Sequence, residues 1–166
     1  RLRDTLTDFQ KKIFDCESNR ICWCSSRRVG KSILLSRILY KPAILYPGCV
    51  CKYVGTSEDH SKVVIWGELK NLANEHGIKV TFREGDSIAH LDNGSEIAIC
   101  SAGDRKVIER LRGDIRGHTL VVLDESATIE EHVDLKYLVK EILSPTFADS
   151  YKFSGKLGQL ILVGTP

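Results

Sequence analysis

The sequence contains no methionine, and no apolar run in it approaches the roughly 18 residues that a membrane-spanning helix requires. No signal peptide opens the chain. Charge of one sign is also scarce. Lys and Arg number 24 against 22 Asp and Glu, a net charge of +2, so any nucleic-acid contact has to come from a local patch. Internal repeats and low-complexity segments are absent, which excludes repeat architectures and compositionally disordered tails. The 6 cysteines do not form a zinc signature: Cys22/Cys24 and Cys49/Cys51 are each separated by one residue, and no histidine pair sits at a useful spacing. On a strand that spacing puts both sulfurs on one face, and reduced cysteines packed within strands are the expectation. A chain that starts at Arg1 and stops on the apolar "LVGTP" reads as a piece of something larger.

What is present is an ordinary soluble-domain composition, 42% hydrophobic and 28% charged over 166 residues, enough for one domain with a real core. Strands and helices alternate. "ICWC" is a short strand, the loop Ser25–Gly30 follows, and "KSILLSRILY" is a helix apolar on most sides. "CVCKYVG" is a second strand, after which Thr56 or Ser57 caps a helix that ends at Gly77. "IKVTF" is a third strand, and "SIAHLDNGSEIAICSA" is a hairpin turning at Asp92-Asn93-Gly94. "TLVVLDE" and "QLILVGTP" are strands buried on both faces; a helix over "EEHVDLKYLVKEIL" is expected to stop at Ser144-Pro145, before a polar stretch. The pattern predicts an α/β fold, a parallel-rich sheet covered by helices and carrying one hairpin insertion.

Chemistry concentrates at the ends of these strands. Gly30-Lys31-Ser32 follows a strand and opens a helix, which is where a nucleoside triphosphate binds: backbone N–H groups face the anion, lysine reaches the β/γ-phosphates, and the Ser32 hydroxyl can hold Mg²⁺. The loop is unusual, since Ser25 stands where the first glycine of G-x-x-x-x-G-K-S belongs and Arg27 and Arg28 fill the middle. Asp124-Glu125 leaves the strand "LVVL"; an Asp there orders a magnesium shell and the adjacent Glu polarises an attacking water. Thr165, in "GTP", ends another buried strand at the same edge and can sense a γ-phosphate. Gln10, among Leu6, Phe9, Ile13 and Phe14 at helical spacing, carries an amide able to bond adenine. Arg105, Lys106, Arg110, Arg112 and Arg116 crowd the segment before the Asp-Glu strand, interrupted by Asp104, Glu109 and Asp114; the two Arg-Gly pairs of "RLRGDIRGH" suggest a shaped loop.

Together these residues resemble the ATPase domain of a phage large terminase subunit, the motor that packs viral DNA into a procapsid. In that family the phosphate loop commonly lacks its first glycine and carries an arginine three residues before Gly-Lys, the form of "SRRVGKS" with Arg27. "TDFQ" resembles the adenine-binding motif, "VGTS" the segment after the second strand, "LDNGSEIAICSA" an Asn-Gly-Ser hairpin, "LVVLDESATI" the magnesium and catalytic-acid strand, and "LSPTF" with "LILVGTP" the coupling segment. The resemblance implies a P-loop NTPase of the ASCE, RecA-like kind over residues 1–166. It implies ATP contacts from Gln10, Ser26, Arg27, Arg28, Val29, Gly30, Lys31, Ser32 and Asp124, with Mg²⁺ at Ser32 and, through water, Asp124. Glu125 becomes the catalytic base, Arg27 a γ-phosphate stabiliser, Thr165 the coupling residue, and Arg116 an arginine finger reaching a neighbouring subunit, with Arg112 as the alternative.

The implied partners are double-stranded DNA, a portal protein, a small terminase subunit and further copies in a ring, in the host cytoplasm and with no membrane. A lid and an RNase H-like nuclease are expected beyond this piece. Two other readings stay open on the residues alone. One is the first motor domain of a superfamily 2 helicase, against which the double arginine and the Asn-Gly-Ser hairpin weigh. The other is a non-catalytic nucleotide-binding module, against which the joint presence of Lys31, Ser32, Asp124 and Glu125 weighs.

Overall fold

Runs such as "LVVL" persist only where helices cover both faces of a sheet, and this requirement sets the architecture. The computed structural model describes residues 1–104 and 106–166. Its strands are β1 (Arg20–Cys24), β2 (Val50–Gly55), β3 (Val80–Arg83), β4 (Ile88–Leu91), β5 (Glu96–Ser101), β6 (Leu120–Leu123) and β7 (Gln159–Gly164). They form one 7-stranded sheet in the order β1-β7-β6-β2-β5-β4-β3. The five strands from β1 to β5 in that order pair in parallel, and β4 and β3 add antiparallel, as the hairpin signal predicts.

Alternate residues of β6 feed two cores. Leu120 and Val122 pack with α2 (Lys31–Leu45) and α4 (Gly67–His76), while Val121 and Leu123 pack with α5 (Val107–Leu111) and α8 (Ser144–Ser154). Each such side chain, fully buried, contributes roughly 1.5–3 kcal/mol. On the first face α1 (Asp8–Phe14) also joins, and α3 (Glu58–Ser61) runs into α4 through a π turn at Lys62–Trp66. On the second, α6 (Ser126–Glu130) and α7 (Leu135–Tyr137) precede a π turn at Leu138–Leu143 that leads into α8. No helix among the described residues is long and apolar enough to cross a membrane.

Three expectations change. Pro145 does not stop the helix: the chain continues helically through α8, with Pro145 in its first turn. The π turn makes this possible, because the Ser144 amide and hydroxyl both donate to the Val139 carbonyl and the missing Pro N–H falls where the hydrogen-bond pattern is already shifted. The stretch read as polar therefore forms a helix around buried Thr146, Phe147 and Ser150. Pro42 likewise lies inside α2, which runs to Leu45. The Asn-Gly-Ser hairpin holds that helix end: Asn93 Nδ2 donates to the Ala43 carbonyl (2.8 Å) and Ser95 Oγ to that of Tyr46 (3.1 Å), satisfying acceptors a helix terminus leaves open. Gly94 makes the turn at φ 88°, where a side chain would be strained. Finally, Cys49, Cys51 and Cys100 are buried as expected, but Cys22 and Cys24 are exposed on β1, which is an edge strand of the sheet.

His118, fully buried before β6, ties the α5–β6 connection to α8. Thr146 gives its hydroxyl proton to the Leu143 carbonyl and so accepts from His118 Nδ1 (3.0 Å). His118 N–H donates to the Thr146 carbonyl, and Thr119 and Ser150 share a hydroxyl bond of 2.8 Å. Among the described residues His118 Nε2 has no partner. Burial, and to a lesser degree the charge of Lys52, pushes the His118 imidazole down to about 3, with Asp114 opposing. Since the unfolded side chain titrates near 6.5, the unfolded chain binds the extra proton first, and stability falls as the pH drops from that value towards 3. We expect urea unfolding to show this group contributing a slope of up to about 1.4 kcal/mol per pH unit in that window. His118→Gln flattens the slope by that amount; an unchanged slope rejects the assignment.

Candidate active site

A strand that can hold no polar side chain within the sheet must deliver its polar residues at its end. The carboxyl ends of β1, β6 and β7 lie at one edge of the sheet, and there the chain assembles a cleft of about 810 Å³ lined by Arg27, Arg28, Gly30, Lys31, Ser32, Thr56, His60, Val64, Asp124, Glu125 and Thr128. The loop between β1 and α2 forms one wall. Its left-handed residues are Arg28 (φ 66°) and Gly30 (φ 74°), not Ser25, so the position that usually carries the first glycine needs no glycine freedom here. Ser25 N–H donates to the Gly164 carbonyl (3.2 Å), fastening the loop to the end of β7. At Gly30 an added Cβ would stand 2.8 Å from Gln10 Nε2.

Lys31 opens α2 and its side chain is 15% exposed. It donates to the Thr165 hydroxyl at 2.8 Å and to the Ser25 carbonyl at 3.3 Å, and lies 3.8 Å from Glu125 Oε1. Thr165 in turn donates to Glu125 Oε1 at 2.9 Å. Three residues that are 40 or more positions apart in sequence for their closest pairing with Thr165 thus form one hydrogen-bonded chain. Glu125 is 44% exposed and left-handed (φ 53°, ψ 54°), an uncommon conformation for a long side chain and a cost of about 1–2 kcal/mol. That turn aims the Glu125 amide at Asp124 Oδ1 (2.9 Å), while Asp124 Oδ2 accepts from the buried Tyr53 hydroxyl. Burial is the largest effect on Asp124 and holds its carboxyl above the ordinary range, against these two hydrogen bonds. Burial first, then the charge of Asp124, raises the Tyr53 phenol.

The other expected residues distribute unevenly. Ser26 and Val29 are exposed on the same loop but do not line the cleft. Gln10 is buried and its amide is engaged at both ends: Oε1 accepts from Thr7 N–H, closing the capping box of α1, and Nε2 donates to the Val29 and Gly30 carbonyls at 3.4 Å each. Arg116 is not at the cleft. It sits at the opposite edge, where β2 and β5 begin, bonded to Asp114 (2.8 Å) and near Glu96 (3.4 Å). Arg112 lies exposed at the end of α5 on the same connection, beside Ile115, which is 88% exposed. Arg105 falls outside the described residues. Sequence reasoning did not single out Tyr53, His60, Val64 or Thr128; of the two expected caps, Thr56 or Ser57, it is Ser57 Oγ that accepts from His60 N–H (3.3 Å), while Thr56 lines the cleft. Among the described residues there is no cluster of three or more His, Cys, Asp or Glu side chains suited to hold a metal on their own.

Both Asn and Gln at position 125 remove the carboxylate, but Asn tolerates the left-handed region far better. We therefore expect Glu125→Asn to be more stable than Glu125→Gln, by on the order of 1 kcal/mol in chemical denaturation; equal stability would show that the turn carries no strain.

No protein-family model and no curated protein matches the chain. Solved structures do. The ATPase domain of the large terminase of Thermus phage P74-26 matches with a TM-score of 0.71 at 20% identity, over 98% of this chain and 65% of that one. The large terminase of a thermophilic bacteriophage, solved in complex with ATP-gamma-S, matches at 0.64 and 12% identity, over 95% of this chain and 37% of that one. The N-terminal domain of the DNA packaging ATPase from bacteriophage phi29 matches at 0.58 and 10% identity, over 93% and 76%. The chain thus spans just under two thirds of the Thermus phage domain and little more than one third of the thermophilic-phage terminase. At these identities the likeness is one of architecture: the chain has the fold of the ATPase domain of phage large terminases across nearly its whole length.

Proposed function

We propose that this chain is an ATPase motor domain that hydrolyses ATP with Mg²⁺ to drive double-stranded DNA into a procapsid. The observation that carries the reading is the convergence of Lys31, Ser32, Asp124, Glu125 and Thr165 at one sheet edge from three separate strand ends. The terminase-like fold supports the packaging context, and a structure of that fold solved with ATP-gamma-S supports the ligand.

The triphosphate lies along the Arg27–Ser32 loop, with backbone N–H groups and the start of α2 favouring its charge. Lys31 exchanges its bonds to Thr165 and Ser25 for phosphate oxygens. Arg27 and Arg28, exposed on the cleft wall, place positive charge against the negative charge that develops on the γ-phosphoryl oxygens. The donor set fits Mg²⁺: Ser32 and Asp124 are hard oxygen donors on one cleft, too few to hold a metal without phosphates and water, the usual way this ion is bound. Held by Ser32 and, through water, by Asp124, Mg²⁺ would supply positive charge that offsets the phosphates. Glu125, released from Lys31 and Thr165, accepts a proton from the attacking water. Thr165, freed by the same exchange, reports the state of the γ-phosphate to β7. Gln10 turns towards adenine from its loop-bound state, which links base recognition to the position of Val29 and Gly30.

Arg116, remote from its own cleft and presented with exposed Ile115, supplies the finger to an adjacent copy in a ring; Arg112 on the same connection is the alternative. Portal protein and small terminase subunit are the partners this function requires, in the cytoplasm of the infected host.

Glu125→Gln is expected to bind a fluorescent ATP analogue like the wild type while its phosphate release falls by at least about 100-fold. Equal loss of binding and turnover removes Glu125 as the base. Arg116→Ala is expected to reduce hydrolysis only at concentrations where subunits assemble; equal loss in dilute, monomeric protein rejects a role in trans. Strand-separating activity on duplex DNA would favour the helicase reading instead.

A further inference from the structure

A buried phenol hydroxyl needs a partner, and the nearest backbone carbonyl is the usual solution. Tyr40 follows that rule, donating to the Leu69 carbonyl at 2.7 Å. Tyr53, equally buried and in the same core, donates instead to a carboxylate on the cleft wall, Asp124 Oδ2. The register explains the reach. Tyr53 pairs with Val122 across β2 and β6, two residues before Asp124 on the same face, and Asp124 N–H donates to the Val54 carbonyl at 2.9 Å. The ring itself is fixed: at Gly55 an added Cβ would stand 3.3 Å from Tyr53 Cε1 and 1.9 Å from Ser61 Oγ, so the chain here leaves room only for hydrogen. With the Glu125 amide on Oδ1, the carboxylate is anchored through both oxygens from two different elements.

We propose that Tyr53 is a positioning residue for the nucleotide–magnesium complex, acting through Asp124. Its hydroxyl fixes the carboxylate rotamer, so that the remaining acceptor sites of both oxygens are held ready for the water ligands of the ion. Without the bond, Asp124 keeps only the Glu125 amide and must be ordered on each binding event. The role rests on the nucleotide-site reading above, and it concerns the metal-dependent part of binding alone, since Tyr53 does not line the cleft.

The test is equilibrium binding of a fluorescent ADP analogue to the whole chain, titrated with Mg²⁺ and repeated in excess chelator. Tyr53→Phe keeps the ring and its packing. We expect its binding in chelator to equal the wild type, while the Mg²⁺ concentration at half-maximal enhancement rises about fivefold or more, as loss of a hydrogen bond to a charged group predicts. Tyr40→Phe deletes an equally buried hydroxyl bond and is expected to lower the unfolding midpoint without moving the Mg²⁺ dependence. An unshifted Mg²⁺ midpoint in Tyr53→Phe overturns the proposal, and so does an equal shift in Tyr40→Phe. A wild-type chain that binds the analogue with no response to Mg²⁺ overturns the nucleotide–metal reading itself, and this role with it.

Discussion

Helices on both faces of β6 and β7 forbid polar side chains anywhere along the buried length of those strands. The polar residues that follow β6 and β7 are therefore displaced to the strand ends, and because β1, β7, β6 and β2 run in parallel, the ends fall at one edge. This single constraint gathers Lys31, Ser32, Asp124, Glu125 and Thr165 without any local sequence signal linking them. It also makes the site a product of the whole sheet: shifting one strand's register by a residue would turn its acid into the core.

The geometry at that edge balances strain against hydrogen bonds. The left-handed turn at Glu125 is unfavourable by itself, but it is what supplies an N–H to Asp124 and lets the side chain meet Thr165. Lys31, Thr165 and Glu125 satisfy one another, so the ammonium is neither isolated nor free. Such an arrangement is satisfied at rest, yet its donors, Lys31 and Thr165, could turn to anionic oxygens entering the cleft and leave the Glu125 carboxylate free to accept. The chemistry proposed here then requires rearranged side chains rather than a remodelled backbone.

Much of this was legible in the sequence, for identifiable reasons. Continuous apolar strands, Gly30-Lys31-Ser32 and Asp124-Glu125 are local patterns whose physical meaning does not depend on distant residues. The Asn-Gly-Ser turn was legible as a turn, but its side chains' hold on α2 was not, since that contact spans about 50 positions. Pro145 misled because its usual meaning assumes α-helical hydrogen bonding, and the preceding π turn changes that pattern. The exposed Cys22 and Cys24 look like core residues until the strand order puts β1 at the edge. Tyr53 was invisible for a different reason: an aromatic residue on a strand is read as packing, and only the third dimension shows where its hydroxyl goes.

The grip of the hairpin on the end of α2 has a mechanical side. At about 1.5 Å per residue, the 15-residue helix is a rod of about 22 Å whose near end carries Lys31 and whose far end is clasped by Asn93 and Ser95. Gln10 clamps the loop at the near end. The loop between β1 and α2 is thus located by two bearings rather than one, Gln10 at the near end of the helix and the hairpin at its far end. A rigid rod so held would carry a tilt of that hairpin to the end where the lysine stands.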